Sequence, residues 1–250
     1  MAMPKDNPPA GGGKIVLSPS ALNLFLECPK CFWLGKNRGI HRPAGAFPSL
    51  PGGMDSVLKK YFDKFRAQGA LPPEIEGQVE GKLLDDQKFL REWRINRKGI
   101  RWYDEEQEAE LMGALDDCLV VDGEQSRTTY YIPVDYKTRG WAAKEDSHSY
   151  YVNQLNCYTF LLEKNGFQTK NFAYLLFYSP REVNSDLGTK FPSGNLVPVL
   201  FNVEPRRVET DPAEAYKVFK AAVKTLRGSQ PATHSTCQFC SWGNDFLTFE

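Results

Sequence analysis

Hydrophobic residues recur every three to four positions in some stretches of the chain and alternate with polar ones in others, and this contrast divides it into elements. From Asp55 to Ala67, Val57, Leu58, Tyr61, Phe62 and Phe65 fall on one helical face. A second helix is predicted from about His148 to Lys164, stopped by Asn165-Gly166. A third opens at the capping box Asp211-Pro212-Ala213-Glu214 and runs to about Arg227. Ser18-Pro19 starts a shorter helix whose buried stripe is Leu22, Phe25 and Leu26, halted at Cys28-Pro29. Strands are expected at Lys14 to Leu17, twice between Ala109 and Val121 around Gly113, and at Tyr130 to Tyr136. Two more are expected at Phe172 to Tyr178 and Val197 to Val203, joined by an excursion rich in Pro, Gly and Ser. Residues 79 to 102 are mixed and expected to add strands, and Gly35 to Gly53 reads as a Gly/Pro-rich loop. The order implies an α/β fold, a mixed central sheet flanked by helices. One domain is expected over residues 14–250. Residues 1–13, rich in Pro and Gly and without the apolar core of a signal peptide, are expected to form a disordered tail.

The strand ending at Tyr136 carries the first candidate chemistry. Ile132, Val134 and Tyr136 share one face, so Asp135 and Lys137 share the other. On a surface strand such a pair is an ordinary ion pair. In a strand covered on both faces, charges are rarely buried without partners or a metal. A carboxylate there can hold a divalent ion while the ammonium meets an attacking water or a phosphate oxygen. Asp116 can bring a second carboxylate from a neighbouring strand, and hard oxygen ligands of this kind suit Mg²⁺ or Mn²⁺. Asp117 would face the opposite way, in a structural or solvated role. Gln154 and Tyr158 lie one helical turn apart. There they either contact substrate phosphate and orient Lys137 or make a helix packing contact.

The cysteines carry the second. Four of the six form two pairs, Cys28-Pro29-Lys30-Cys31 and Cys237-Gln238-Phe239-Cys240. Together they offer the four thiolates of a structural zinc or an iron–sulfur cluster, which would clasp the two ends of the chain. Unrelated pairs or disulfides are the alternative, but disulfide scaffolds are usually short and cysteine-dense. Cys118 and Cys157 stand at no ligand spacing and read as small core residues. The histidines, too, fall in no ligand spacing.

Charge and composition narrow the picture. The formal net charge is +0, so no global field draws the chain to nucleic acid. Locally, Lys88, Arg91, Arg94, Arg97, Lys98 and Arg101 are interleaved with Trp93 and Trp102. That stretch either grips phosphates and stacks bases or is a solvated basic face. Trp141, Tyr150 and Tyr151 are placed for an active-site rim. No apolar run approaches the length of a membrane span. By elimination, reduced cysteines and a cytoplasmic location are expected.

The blocks Gly113-Ala114-Leu115-Asp116-Asp117, Pro133-Val134-Asp135-Tyr136-Lys137-Thr138 and Gln154-Leu155-Asn156-Cys157-Tyr158 resemble those of the PD-(D/E)XK nuclease superfamily. Within it, the chain is similar to the branch of RecB and AddB nuclease domains and CRISPR-associated RecB-like exonucleases. An aspartate after a Gly-x-hydrophobic turn matches Asp116, the Asp/Glu-x-Lys pair matches Asp135 and Lys137, and a helical Gln-x-x-x-Tyr matches Gln154 and Tyr158. The resemblance implies a restriction-endonuclease-like core and metal-dependent hydrolysis of DNA, with exonuclease action on ends or single strands preferred. Asp116 and Asp135 would hold Mg²⁺ or Mn²⁺, with the backbone carbonyl of Tyr136 joining, and Lys137 would act on the attacking water or the developing charge. Related nucleases place a Glu or His on a helix before the sheet. Asp55 matches that place, although the helix dipole favours a carboxylate there whatever the function. Many relatives carry a four-cysteine iron–sulfur cluster, one cysteine N-terminal and three C-terminal. The two-and-two arrangement here leaves both [4Fe–4S] and Zn²⁺ open. Partners implied are DNA and the proteins of DNA repair, recombination or CRISPR adaptation. A non-catalytic nucleic-acid-binding or assembly module that keeps the fold is the alternative, and a zinc-stabilised interaction protein a third.

Overall fold

Strand propensity and alternation concentrate in the middle of the chain, and the sheets form there. The structure is a computed structural model describing residues 14–43, 49–123, 128–146, 148–181 and 199–241. Among these residues the larger sheet runs β2 (Lys82–Leu83), β5 (Asp117–Asp122), β6 (Thr129–Thr138), β8 (Phe172–Pro180) and β9 (Phe201–Glu209), with β7 (Gln168–Thr169) pairing β6. β6 is antiparallel to β5 and parallel to β7 and β8, so the sheet is mixed as expected. A smaller sheet orders β1 (Ile15–Leu17), β4 (Ala109–Gly113) and β3 (Ile100–Asp104). The parallel step from β6 to β8 needs a crossover, which α5 (Val152–Lys164) supplies.

Alternation assigns the two faces of the larger sheet. Ile132, Val134 and Tyr136 of β6 join Tyr174, Leu176 and Tyr178 of β8 under α3 (Ser49–Arg66), through Leu58 and Phe62. Ala173, Leu175 and Phe177 point the other way, into a core built with Leu155 and Leu161 of α5 and Phe219 and Val223 of α6 (Pro212–Arg227). α1 (Pro19–Glu27) packs on α5 and α2 (Pro29–Arg38) on α6. Both faces of β6 are therefore covered, and Asp135 is 1% exposed.

Several boundaries differ from the sequence reading. Cys28 ends α1 in extended backbone and at once caps α2, with Pro29 at a first-turn position where its missing N–H costs nothing. Helix therefore continues to Arg38, inside the predicted loop, and α3 begins at Ser49 rather than near Asp55. Residues 79–102 hold the expected strands, β2 and the start of β3, and between them a helix, α4 (Gln87–Trp93), started by the Asp86 carboxylate accepting from the Lys88 and Phe89 N–H groups. The strand expected at Val197 to Val203 is β9, shifted to Phe201–Glu209. Pro205 is tolerated there because β9 is an edge strand. Leu26 and Val57, assigned to buried stripes, are 51% and 57% exposed, because among the described residues no neighbouring element covers those turns. The expected tail at 1–13 and most of the Pro/Gly/Ser-rich excursion lie outside the described residues.

One buried ion network ties these layers together. Asp117, at the start of β5, is fully buried and accepts from Arg66 Nη2 at 2.7 and 2.6 Å, Arg94 Nη2 at 2.8 Å and the Tyr136 hydroxyl at 2.7 Å. Arg66 also donates to the Leu84 carbonyl, and Arg94 to the Asp63 carboxylate at 2.9 Å. Removing one partner from a buried pair strands a charge. Arg66→Ala should therefore lower the unfolding free energy by about 3–5 kcal/mol in urea titrations. A loss below about 1 kcal/mol, the range of a solvent-exposed pair, would contradict this role for the network.

Candidate active site and metal centre

Strand geometry brings the central residues together. Asp135 and Lys137 point from β6 toward α5, and the Lys137 ammonium lies against Asp135 Oδ2. Gln154, in the first turn of α5, donates from Nε2 to Asp135 Oδ1 at 3.1 Å and to the Tyr158 hydroxyl at 2.6 Å. Its Oε1 accepts from Lys137 Nζ at 3.3 Å. One amide thus orients the carboxylate and the lysine together. Tyr158 can lie close because residue 113 is glycine: a Cβ there would stand 3.1 Å from the Tyr158 ring and from Leu161.

Asp116 sits just before β5, and its Oδ2 accepts from the Tyr136 backbone N–H at 3.1 Å. The N–H and C=O of one strand residue share an edge, so the Tyr136 carbonyl lies on the same edge of β6. The Asp116 carbonyl accepts from Arg94 Nε at 2.8 Å, which fixes the turn that aims this carboxylate. Asp55 is joined to Asp116 through Lys59, whose ammonium is 2.8 Å from Asp55 Oδ2 and 2.8 Å from Asp116 Oδ1. Sequence reading missed Lys59 and counted Arg94 only as one base of the Lys88–Arg101 stretch. The signal for Lys59 was its place one helical turn after Asp55.

The electrostatics follow from burial. Desolvation raises the Asp135 carboxyl from 3.8 to about 7, opposed by Lys137 and reinforced by Asp116. Burial alone would lower the Lys137 ammonium, but Asp135 and Asp116 outweigh it and hold it above its usual value. Lys59 is raised in the same way, its burial outweighed by Asp116 and Asp55. Asp135 Oδ2 takes no well-directed hydrogen bond, although Lys137 lies against it. Two carboxylates, an adjacent carbonyl edge and a gap that already accommodates an ammonium fit a hard divalent cation.

The basic stretch does not form one solvent-facing patch. Trp93 is buried and stacked on Phe89, and Arg94 belongs to the Asp117 network. Arg101 pairs with Glu110, and Trp102 packs edge-on against Phe160. Of the residues expected at an active-site rim, Tyr150 and Trp141 are 71% and 80% exposed, and Tyr150 and Tyr151 line a cleft beside Gln154.

The four paired cysteines converge elsewhere. Cys28 and Cys31 begin α2, and Cys237 and Cys240 lie in a second tight turn beyond α6. The sulfurs of Cys28 and Cys240, Cys31 and Cys237, and Cys31 and Cys240 are each 3.6 Å apart, and all four lie within 4.8 Å of one another. No disulfide joins them. Although burial opposes it, the Cys240 backbone N–H and the neighbouring thiols lower Cys237 to about 6, while burial raises Cys31 and burial with the shared hydrogen bonds raises Cys240. Cys118 and Cys157 are buried in β5 and α5, with thiols raised by desolvation.

The sequence profile of the PD-(D/E)XK nuclease superfamily matches residues 52–244, more than half of the chain. The chain belongs to the PD-(D/E)XK nuclease superfamily. No individually curated protein matches it. Among the described residues, no helix is long and apolar enough to cross a membrane.

Asp135 also sets a pH signature in protein stripped of divalent ions. Its carboxyl is raised in the folded state, so its contribution to stability is complete below about pH 4 and is lost as pH rises toward 7. Asp135→Asn removes the titration. In EDTA, the melting temperature of Asp135→Asn relative to the parent should increase from pH 5 to pH 8. A difference that stays constant across this range would contradict the raised carboxyl.

Proposed function

We propose that this chain is a divalent-metal-dependent nuclease of the RecB-like branch that hydrolyses DNA phosphodiesters, with exonuclease action preferred. The observation that carries the reading is the arrangement of Asp116 and Asp135 beside the Lys137 ammonium, with Gln154 hydrogen-bonded to both Asp135 and Lys137. Asp116, Asp135 and the Tyr136 carbonyl would hold Mg²⁺ or Mn²⁺, with Asp55 reached once Lys59 swings aside. The ion would neutralise phosphoryl charge and make a bound water more acidic. Lys137, kept protonated by its carboxylate neighbours, suits donation to the charge that develops on the phosphoryl oxygens better than abstraction of a proton. Gln154 holds Lys137 at that position, and Tyr158 braces Gln154.

A cleft of about 560 Å³ opens beside Gln154, a size suited to a small ligand or a nucleotide. Ser18, Asn23, Asn96, Tyr150 and Tyr151 line it, and among the described residues Glu27 is the one charged lining group. A phosphate would gain little there. The exposed Tyr150 ring, amides and hydroxyls favour the base of an unpaired nucleotide, which supports a single-stranded substrate or a frayed end. Buried free cysteines agree with a reducing compartment, and we assign the chain to the cytoplasm beside proteins of DNA repair, recombination or CRISPR adaptation.

Labelled single- and double-stranded DNA and RNA, incubated with Mg²⁺, Mn²⁺ or EDTA, test the reading. The parent should cleave DNA in either metal and stop in EDTA. Asp135→Ala should abolish cleavage, and Lys137→Ala should reduce kcat about 10²–10³-fold. Asp55→Ala should demand more Mg²⁺ for the same rate; an unchanged Mg²⁺ titration removes Asp55 from the metal site. If the folded parent cuts none of these substrates, the chain is a binding or assembly module. That second reading draws on the Asp55–Lys59 pairing, which leaves Asp55 engaged away from Asp135.

Tyr150→Ala probes the cleft separately. It should raise KM for a single strand about tenfold or more while leaving an abasic strand unaffected. Equal effects on both strands would contradict base stacking.

A further inference from the structure

The spacing of the four cysteine sulfurs distinguishes between the two cofactors that their number permits. Three sulfur pairs stand 3.6 Å apart and all four sulfurs fall within 4.8 Å of one another. Regular tetrahedra with edges between these two distances have their centres about 2.2–2.9 Å from each vertex, a range that includes the zinc–thiolate bond of about 2.3 Å. In a four-iron cluster each thiolate binds a different iron at a different corner of the cube. The sulfurs must then stand far enough apart to enclose four irons and four sulfides, and four sulfurs with three pairs in contact and none more than 4.8 Å apart leave no space for eight atoms. The cluster does not fit these residues. We infer that Cys28, Cys31, Cys237 and Cys240 bind one zinc ion in a closed, tetrahedral, structural site.

The surroundings are built for such a site. Each pair lies in a tight turn whose backbone N–H groups face sulfur: the Cys31 N–H points at Cys28 Sγ at 3.5 Å, and α2 opens there. Helix N-termini favour thiolates. Arg42 places Nη2 3.5 Å from Cys237 Sγ and spreads its guanidinium over the Phe239 ring, offsetting part of the negative charge of four thiolates on a divalent ion. Lys30 Nζ donates to Thr233 Oγ1 at 2.8 Å, so the two segments are already aligned across the site. All four ligand positions come from protein and all four cysteines are buried, which is the closed arrangement of structural rather than catalytic zinc. Leu24 of α1 packs on the quartet and also lines the cleft beside Gln154. The ion would therefore hold one wall of the proposed active site without taking part in it.

The inference does not depend on whether the chain cleaves nucleic acid. Full-length protein from cells grown with ample iron and zinc, purified without oxygen, should be colourless. It should contain about one zinc per chain, with neither iron nor acid-labile sulfide. Its zinc absorption edge should show a single sulfur shell at about 2.3 Å. Exchange with Co²⁺ should give the intense visible bands of tetrahedral cobalt thiolate, and Cys240→Ser should weaken them. Brown protein with stoichiometric iron and sulfide would overturn the inference, as would full-length protein that keeps its melting temperature with no metal bound.

Discussion

Burying Asp117 without a partner would be prohibitive, and much of the molecule is arranged so that it has three. Arg66 comes from α3, Arg94 from the end of α4 and Tyr136 from β6, so satisfying one carboxylate fixes three elements against β5. The neighbouring residue inherits the result. Asp116 is aimed into the site because Arg94 holds its carbonyl while the Tyr136 N–H holds its carboxylate. α3, anchored at Arg66, in turn delivers Lys59 and Asp55 to the outer side of Asp116. The site is thus positioned from both faces of the sheet, by α3 on one side and by α4 and α5 on the other.

The cysteine quartet supplies the second constraint. α2 is tied to the end of α6 by Trp33 donating to the Gly228 carbonyl and Asn37 to the Leu226 carbonyl, and beyond it Cys28 and Cys31 meet Cys237 and Cys240. Because Leu24 touches both the quartet and the cleft, a change at the clasp would reach the wall of the cleft through one helix rather than through the carboxylates. Binding energy at such a site is folding energy, so metal loss should resemble misfolding more than slow chemistry.

What could be read from the sequence follows local period. Asp135 and Lys137 could be assigned to one face because the side-chain period of a strand is two, and Gln154 and Tyr158 because that of a helix is close to four. The cysteines declared themselves by spacing. The residues that were missed act across the chain. Arg94 looked like one of several solvent-facing bases, and only the fold brings Asp63, Asp117 and the Asp116 carbonyl around it. Lys59 could be paired with Asp55 along the helix, but not with Asp116 on another element. Leu26 and Val57 have the right period for burial, yet periodicity does not reveal where a neighbouring element ends. α4 was hidden because its few residues mix aromatic and charged side chains, and its capping Asp86 was the clearest mark of its start.

The central claim is that Asp116 and Asp135 form one divalent-metal site. Anomalous diffraction from crystals soaked in Mn²⁺ tests it most directly. The account predicts a manganese peak within bonding distance of both carboxylates and the Tyr136 carbonyl, with Lys59 turned away from Asp116. Crystals saturated with Mn²⁺ that show no peak there, with Lys59 still bridging Asp55 and Asp116, would contradict it.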